Sequence, residues 1–418
     1  MLKEGVITLT DLNLEETEKV LKDFFLSCSF SIPSYKIKEI YRWLCKGAVF
    51  EEMTSLSKEI RVKLEAAFNA QGAEIIKQLN SKDGSVKFLF SLADGNVVEG
   101  VLMPYKYGNT LCVSTQVGCR MGCAFCASAI GGLVRNLSVG EMFSFVALAN
   151  KTAQESRFCG GKNEGETADG YTCGVGKKSV GTDGFGALER ETDFKKDINT
   201  ADKDGGKSGG KGRGVTNVVL MGSGEPLDNY GNVIAFLKRL SEKEGLNMSP
   251  RNFSLSTCGL APQILALAEE GLPVNLTVSL HASIQSKRQE LMPVAKQYPI
   301  SQVISAAKNY FEKTGRRVIF EYTLVKGAND KEEDAVNLAK LLKGFPNHVN
   351  LIRLSPVKEK DLKATSKEDA YKFQKKLTEL NVSATVRRQM GLDISGACGQ
   401  LRRKFVGDNN HVFNPKQL

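Results

Sequence analysis

Apolar and polar positions change their rhythm along this chain. Over residues 1 to about 90 the apolar residues recur at helical spacing, as at Val20, Leu21, Phe24 and Phe25. Asn13 and Glu16 precede that stretch in the arrangement of a capping box, so a helix is predicted to start there. A second helix is predicted over 35–44, with Trp43 on its apolar face, and a third over 58–68. From residue 110 the pattern becomes an alternation. Short β-rich runs at 111–117, 216–221, 253–257, 274–280, 318–325 and 349–354 are separated by helical stretches at 138–150, 230–243, 261–270, 301–313, 331–343 and 367–380. Repeated βα units predict a parallel sheet with right-handed crossovers. Six of them predict an α/β fold, an open, partial (β/α)6 TIM-like barrel behind a small N-terminal helical domain. In such barrels functional residues collect on the loops after the C-terminal ends of the strands.

One segment keeps neither rhythm. Residues 159–213 hold 14 of the 40 glycines, with 10 Lys and Arg balanced by 10 Asp and Glu. A composition this polar cannot bury enough apolar surface to offset the entropy of ordering, so a disordered insertion is expected. The division expected is a helical accessory domain at 1–90, a core at 91–405 interrupted by 159–213, and a tail at 406–418. Because the insertion is neutral, the net charge of +10 belongs entirely to the remainder, which points toward nucleic acid. Lys36, Lys38, Arg42, Lys46 and Arg61 in the helical part, and Arg387, Arg388, Arg402, Arg403 and Lys404 near the C-terminus, are either phosphate contacts or solvated basic faces. No run of about 18 uncharged apolar residues occurs and the N-terminus lacks a signal-peptide pattern, so no membrane association and a cytoplasmic location are expected. The ten cysteines then read as reduced thiols or metal ligands. Cys159 and Cys173, inside the insertion, read as incidental loop cysteines, a regulatory pair or an extra metal site.

The candidate chemistry begins in GCRMGCAFCAS, where Cys119, Cys123 and Cys126 form a C-x3-C-x2-C triplet after the first predicted strand. Thiolates hold iron–sulfur clusters, and a cluster completed by protein alone takes four of them. Three leave one iron open for chemistry. A structural zinc site borrowing a distant fourth ligand is the alternative. The three histidines, His281, His348 and His411, all lie far from the triplet in sequence. Further motifs follow the next three predicted strands: GSGEP (222–226), ST-CG (256–259) and SLHAS (279–283). A glycine-rich loop lets backbone approach a ligand, although a plain turn explains it equally well.

Taken in order, VEGVLMPY (98–105), LCVSTQVGCRMGCAFCAS (111–128), GGLVRNLSVGE (131–141), VVLMGSGEPLDNY (218–230), LSTCG (255–259), VSLHAS (278–283) and GACGQLR (396–402) carry a resemblance. The sequence resembles the radical S-adenosylmethionine (SAM) enzymes. Among them it is most similar to the bacterial 23S rRNA adenine-C2 methyltransferases (RlmN), with C8-methylating relatives (Cfr) nearby. The resemblance covers 1–158 and 214–405 and makes the expected barrel a radical SAM barrel. It implies that Cys119, Cys123 and Cys126 ligate a 4Fe–4S cluster whose open iron chelates SAM, with Phe125 shielding the cluster. Gly224, Glu225, Ser256, Ser279, Leu280 and His281 would contact SAM, the Glu225 carboxylate meeting its ammonium group. Cys398 would be methylated by a first SAM and carry that carbon to the adenine after a second SAM is consumed. Cys112 would resolve the protein–RNA adduct by a disulfide with Cys398, and Glu99 would be a proton acceptor near the adenine. Read without the resemblance, His281 is a core histidine, Cys112 a buried strand cysteine and Glu99 a solvent-facing charge.

One departure concerns Ser355, which stands where the family usually carries an asparagine in contact with SAM, and Arg353 stands in place of a proline. A serine hydroxyl still donates and accepts, but the two-ended amide is lost. The partners implied are 23S rRNA, tRNA and a flavodoxin-like electron donor. Two rivals remain, a C8 methyltransferase and a non-catalytic iron–sulfur RNA-binding protein. The combined presence of Cys112, Cys398 and Glu99 argues against the second, because a binder needs none of them.

Overall fold

The computed structural model describes residues 2–30, 32–155, 214–355, 357 and 359–397. Helix α1 (Leu14–Ser27) starts at the expected capping box: Asn13 Oδ1 accepts the Glu16 N–H at 2.9 Å, and Glu16 Oε2 accepts the Asn13 N–H at 2.8 Å. With α2 (Ser34–Cys45) and α3 (Lys58–Ala67) it encloses a small core around Leu21, Phe25, Ile40, Leu44, Met53 and Leu64, on which Trp43 packs half-buried.

The chain leaves helical structure before residue 90. Strands β1 (Glu74–Asn80), β2 (Val86–Ser91) and β3 (Val97–Tyr105) form an antiparallel meander that the periodicity does not reveal. The reason is physical: β1 is half-exposed and polar, and β2 is buried on both faces, so neither shows a clean alternation. After them come β4 (Gly108–Cys112), β5 (Gln116–Gly118), β6 (Leu133–Asn136), α4 (Val139–Glu155) and β7 (Val215–Leu220). The remaining elements are α5 (Tyr230–Leu240), β8 (Phe253–Thr257), α6 (Ala261–Glu269), β9 (Asn275–Ser279), α7 (Gln285–Leu291) and α8 (Ile300–Thr314), then β10 (Val318–Leu324), α9 (Glu332–Leu341), β11 (Asn347–Arg353), α10 (Lys367–Glu379) and β12 (Ala384–Val386).

A ten-stranded sheet runs β1-β2-β3-β4-β7-β8-β9-β10-β11-β12. It is antiparallel as far as β4 and parallel from β4 onward. Strands β4, β7, β8, β9, β10 and β11 are the six of the expected partial barrel, and the short β12 adds a parallel neighbour at the edge. The first predicted run, 111–117, splits in two. After Cys112 the chain turns over the loop that follows β7, where the Thr115 and Gln116 N–H groups both donate to Ser223 O, and β5 pairs with β6 in a separate ribbon. Helices cover the outer face through Phe143, Phe236, Ile264, Tyr310 and Phe373, packed with Leu111, Leu255, Leu276, Phe320 and Leu351 of the strands.

Beyond β12 the segment from Arg387 to Ala397 forms a strap. It leaves β11 through Arg387 N–H to Leu351 O (2.8 Å) and Gln389 Nε2 to Arg353 O (3.1 Å). It ends on the β1–β2 turn, where Asp83 Oδ2 accepts the Gly391 N–H at 2.7 Å and the Asp393 carboxylate accepts from Ser81 Oγ and the Lys82 N–H. The strap thus ties the last barrel strands to the first hairpin. Among the described residues no helix is long and apolar enough to cross a membrane.

Candidate active site

A cleft open to solvent lies at the C-terminal ends of the parallel strands. Loops from almost every βα unit reach it: Cys119, Cys123 and Cys126 after β4, Gly224 and Glu225 after β7, Ser256 to Cys258 at the end of β8, Ser279 and His281 after β9, and Ser355 after β11. These residues are far apart in sequence and are brought together by strand order alone.

The triplet loop is pinned by its backbone. Cys119 N–H donates to Gly132 O at 2.9 Å, Ala124 N–H to Leu291 O at 2.8 Å, and Gly122 takes a left-handed φ of 71° between the first two cysteines. Burial pushes the Cys119 thiol up to about 12, and the neighbouring Cys126, Glu225 and Asp228 push in the same direction against a hydrogen bond from Met121. The Cys123 thiol is also driven up, first by burial of its sulfur and then by Cys126 and Cys119. The buried Cys119 and Cys123 thiols need a positive charge beside them before they become thiolates. That donor set suits an iron–sulfur cluster, in which cationic iron supplies the charge. Among the described residues no three His, Cys, Asp or Glu side chains close around a single ion. A four-iron cluster spaces its ligands more widely than one ion does.

Gly224 is required by fit as well as by torsion. Its φ is 108°, and a Cβ there would come within 2.6 Å of Gln116 Cβ and 2.8 Å of its backbone nitrogen. It delivers Glu225 into the barrel, where Oε2 accepts the Cys258 N–H at 2.7 Å, Oε1 accepts the Leu227 N–H at 3.0 Å, and the Glu225 N–H donates to Gln116 Oε1 at 2.9 Å. Burial pushes this carboxyl up, while the hydrogen bonds from Cys258, Thr257 and Leu227 pull it down. Two oxygens with two donors leave acceptor capacity for a further cation.

His281 adopts a left-handed φ of 54°. Its Nδ1 accepts the Thr323 N–H at 2.9 Å, and its carbonyl accepts from Asn329 Nδ2 at 2.6 Å. Burial, aided by Arg288, holds the imidazole down at about 3, so at neutral pH the ring is uncharged and carries its proton on Nε2. Its ring and that of Phe125 lie 4.7 Å apart between centroids and 70° between planes, which joins the β9 loop to the triplet loop. Leu280 differs from its neighbours: its side chain lies wholly in the core and its N–H donates to Glu321 O at 3.0 Å, so only its backbone sits beside the cleft.

Several residues here carry no sequence motif. Arg288 is fully buried and donates to the carbonyls of Leu280 (3.1 Å), Cys258 (2.6 Å) and Tyr298 (3.3 Å), locking the β8 and β9 loops together. Glu321 lines the cleft and pairs with Arg387 at 3.0 Å. A charged residue inside the otherwise apolar run 318–325 is the signal that could have found Glu321. Arg387, one of the cations read from sequence as phosphate contacts or a solvated basic face, turns inward to this carboxylate instead. Arg42 pairs with Glu244, Arg61 donates to Glu51 O and Lys36 to Ser55 O, so these helical-part cations are also engaged within the protein.

Glu99 is not solvent-facing. It is buried beside Lys87, Nζ to Oε1 at 2.9 Å, and it does not line the cleft. It shares a face of β3 with Val101 and Met103, and Met103 does line the cleft. Cys112 lies opposite Val101 on β4, buried under Met103 and under Met390 of the strap. The strap also reaches Ser355, whose Oγ accepts from Gln389 Nε2 at 3.3 Å, and its last described residue, Ala397, lines the cleft. Cys398, Arg402, Arg403, Lys404, His411 and the segment 159–213 with Cys159 and Cys173 lie outside the described residues.

Known proteins share this architecture. A family model described as the Radical SAM superfamily matches residues 205–339. A protein of Clostridium perfringens (strain 13 / Type A), named probable dual-specificity RNA methyltransferase RlmN, is 41% identical over 401 residues, covering 95% of this chain and 97% of its own. Its namesake in Lachnoclostridium phytofermentans is 40% identical over 403 residues, covering 96% and 95%. The crystal structure of a radical SAM methyltransferase from Sphaerobacter thermophilus superposes with a TM-score of 0.78 at 35% identity, covering 95% of this chain and 99% of that one. With the barrel, the triplet-bearing cleft and nearly the whole length in common, the chain belongs to the RlmN family of radical SAM RNA methyltransferases.

Proposed function

We propose that this enzyme methylates C2 of a specific adenine in 23S rRNA, and of an adenine in tRNA, in the cytosol, using Cys398 as the carrier of the methyl carbon. The observation that supports this reading is the course of the strap. Ala397, the last described residue, lines the cleft, Met390 of the same strap packs on Cys112, and Cys398 is the next residue in the sequence. Cys119, Cys123 and Cys126 would hold a 4Fe–4S cluster, and Gly224, Glu225, Ser256, Ser279, the Leu280 backbone, His281 and Ser355 would hold SAM. Bound there, and fed by a flavodoxin-like donor, the pair supplies one-electron chemistry at a sulfonium-bound carbon.

The chain's own residues do the rest. Glu225 offers a fixed carboxylate to the SAM ammonium group, and neutral His281 offers an N–H without adding charge. The Glu321–Arg387 pair holds the base of the strap against β10. Glu99, on the strand face shared with Cys112, is the proton acceptor of this reading. Cys112, as thiolate, releases the product by attacking the Cys398 sulfur. An S–S bond forms, and the bond from that sulfur to the bridging carbon breaks. The carbon keeps the electron pair and takes up a proton to become the methyl group. An external dithiol reduces the disulfide before the next turnover. The adenine must be unstacked to reach a cleft this deep in the barrel.

The test is anaerobic reconstitution of the full chain with iron, sulfide, SAM, reductant and an rRNA fragment, followed by nucleoside mass spectrometry. 2-Methyladenine is expected. 8-Methyladenine would transfer the enzyme to the C8 chemistry, and neither product, with cluster absorbance intact, would overturn the reading.

A further inference from the structure

We propose that the turn between β3 and β4 is a stacking site for an unpaired nucleobase of the RNA, adjacent to the base that enters the cleft. This rests on the RNA-substrate reading above and extends it to a subsite.

The two strands close on the pair Tyr105–Gly108, which leaves Lys106 and Tyr107 as the turn itself. The Tyr105 and Tyr107 rings lie parallel, 5.1 Å between centroids and 5° between planes. Tyr105 is part of the cleft wall. Tyr107 is 59% exposed, an offset second layer that carries the stack from the cleft into solvent. Lys106 is exposed between them.

The turn is a firm mount. Gly108 approaches β7 so closely that a Cβ would come within 2.1 Å of Thr216 Oγ1, and that hydroxyl donates to Asn109 O at 3.1 Å. A ring held this way presents a fixed face at low entropy cost. Aromatic faces bind unpaired bases of any identity, at about 1–3 kcal/mol per base. The remainder of the chain holds the whole +10 charge, and Lys106 places one cation where the backbone of such a base would pass. Tyr35 and Tyr371 are also exposed, but they do not line the cleft. Tyr107 is set apart by stacking on a ring that does.

The competing explanation is that Tyr107 only shields Tyr105, in which case any bulky apolar side chain would serve. The experiment therefore compares Tyr107→Ala, Tyr107→Leu, Tyr107→Phe and wild type, all as full-length protein at one ionic strength. Binding is read by anisotropy with two RNAs, the rRNA fragment and single-stranded oligoadenylate, because stacking accepts any base. Tyr107→Ala and Tyr107→Leu are expected to weaken both RNAs on the order of 10-fold, and Tyr107→Phe to bind as wild type does. A 2-aminopurine beside the target adenine should be quenched by wild type and by Tyr107→Phe, and not by the other two. Wild-type affinity in Tyr107→Leu, or quenching that ignores Tyr107, overturns the stacking site while leaving the methylation result standing. A wild-type protein that binds neither RNA overturns both.

Discussion

A carboxylate and an ammonium group sealed together between β2 and β3 depend on each other for their charge. Burial pushes Glu99 up, and Lys87 opposes that push. Among the described residues Glu99 Oε2 has no hydrogen-bond partner, so the ion pair is its main compensation. Lys87→Met should destabilise the protein by about 3–5 kcal/mol, the cost of a buried charge left alone. The sign of its pH dependence follows. A carboxyl whose folded pKa is raised costs stability only above its unfolded value, so the deficit of the variant should be greater at pH 7.5 than at pH 5. Urea melts at the two pH values measure this, and an equal deficit at both would be evidence against a charged pair. Residues of this kind are hard to read from sequence. The Cys119–Cys126 spacing and the GSGEP turn are local patterns. Lys87 with Glu99, or Glu321 with Arg387, meet only through strand register, which no spacing encodes.

At the scale of elements, the strap carries the most consequence. Its far end rests on two carboxylates. Burial pushes Asp83 up, but hydrogen bonds from Gly391, Ser85 and Ser81 outweigh it and hold the group below the ordinary range. Asp393 is held down by Ser81 and the Lys82 N–H. Groups with depressed pKa values lend their stability above the unfolded value and lose it as pH falls through the folded one. Asp83→Ala should therefore speed hydrogen exchange at the Gly391 amide near neutral pH. In the wild type that amide should keep its protection through the ordinary carboxyl range and lose it only at lower pH, as Asp83 itself takes up a proton. Unchanged exchange in the variant would show that Gly391 is held by something other than Asp83. The first run splits between β4 and β5, but the other five barrel strands, β7 to β11, were legible to within a residue or two because each is an apolar run beside a helical stretch. The strap was not, since it has no periodicity at all, and the β1–β3 meander was masked by a polar edge strand.

At the scale of the molecule, the helical part and the barrel are joined by close backbone contact. Gly140 at the start of α4 donates to Asp11 Oδ1 at 2.6 Å, and Thr10 Oγ1 meets Ser144 Oγ at 3.1 Å. The points where 156–213 leaves and rejoins are stapled as well. Asn150 Oδ1 accepts the Val215 N–H at 2.9 Å, and Gly214 O accepts from Asn109 Nδ2 at 3.3 Å. Both lie at the N-terminal ends of β4 and β7, opposite the cleft. Replacing 156–213 by a short Gly-Ser linker should leave thermal stability and methylation unchanged, and loss of either would give that segment a role in the fold or the reaction. Composition set 159–213 apart, but sequence could not say which end of the barrel the flanking residues join. The strap has one more consequence. Its anchors are polar, namely the Arg387–Glu321 ion pair, the Gln389 amide, two carboxylates and backbone groups, and Met390 is its main apolar contact with the strands. Releasing it uncovers almost none of the hydrophobic core, so its opening carries little change in heat capacity. The strength with which the strap is held should then vary only gently with temperature, unlike that of the core beneath it.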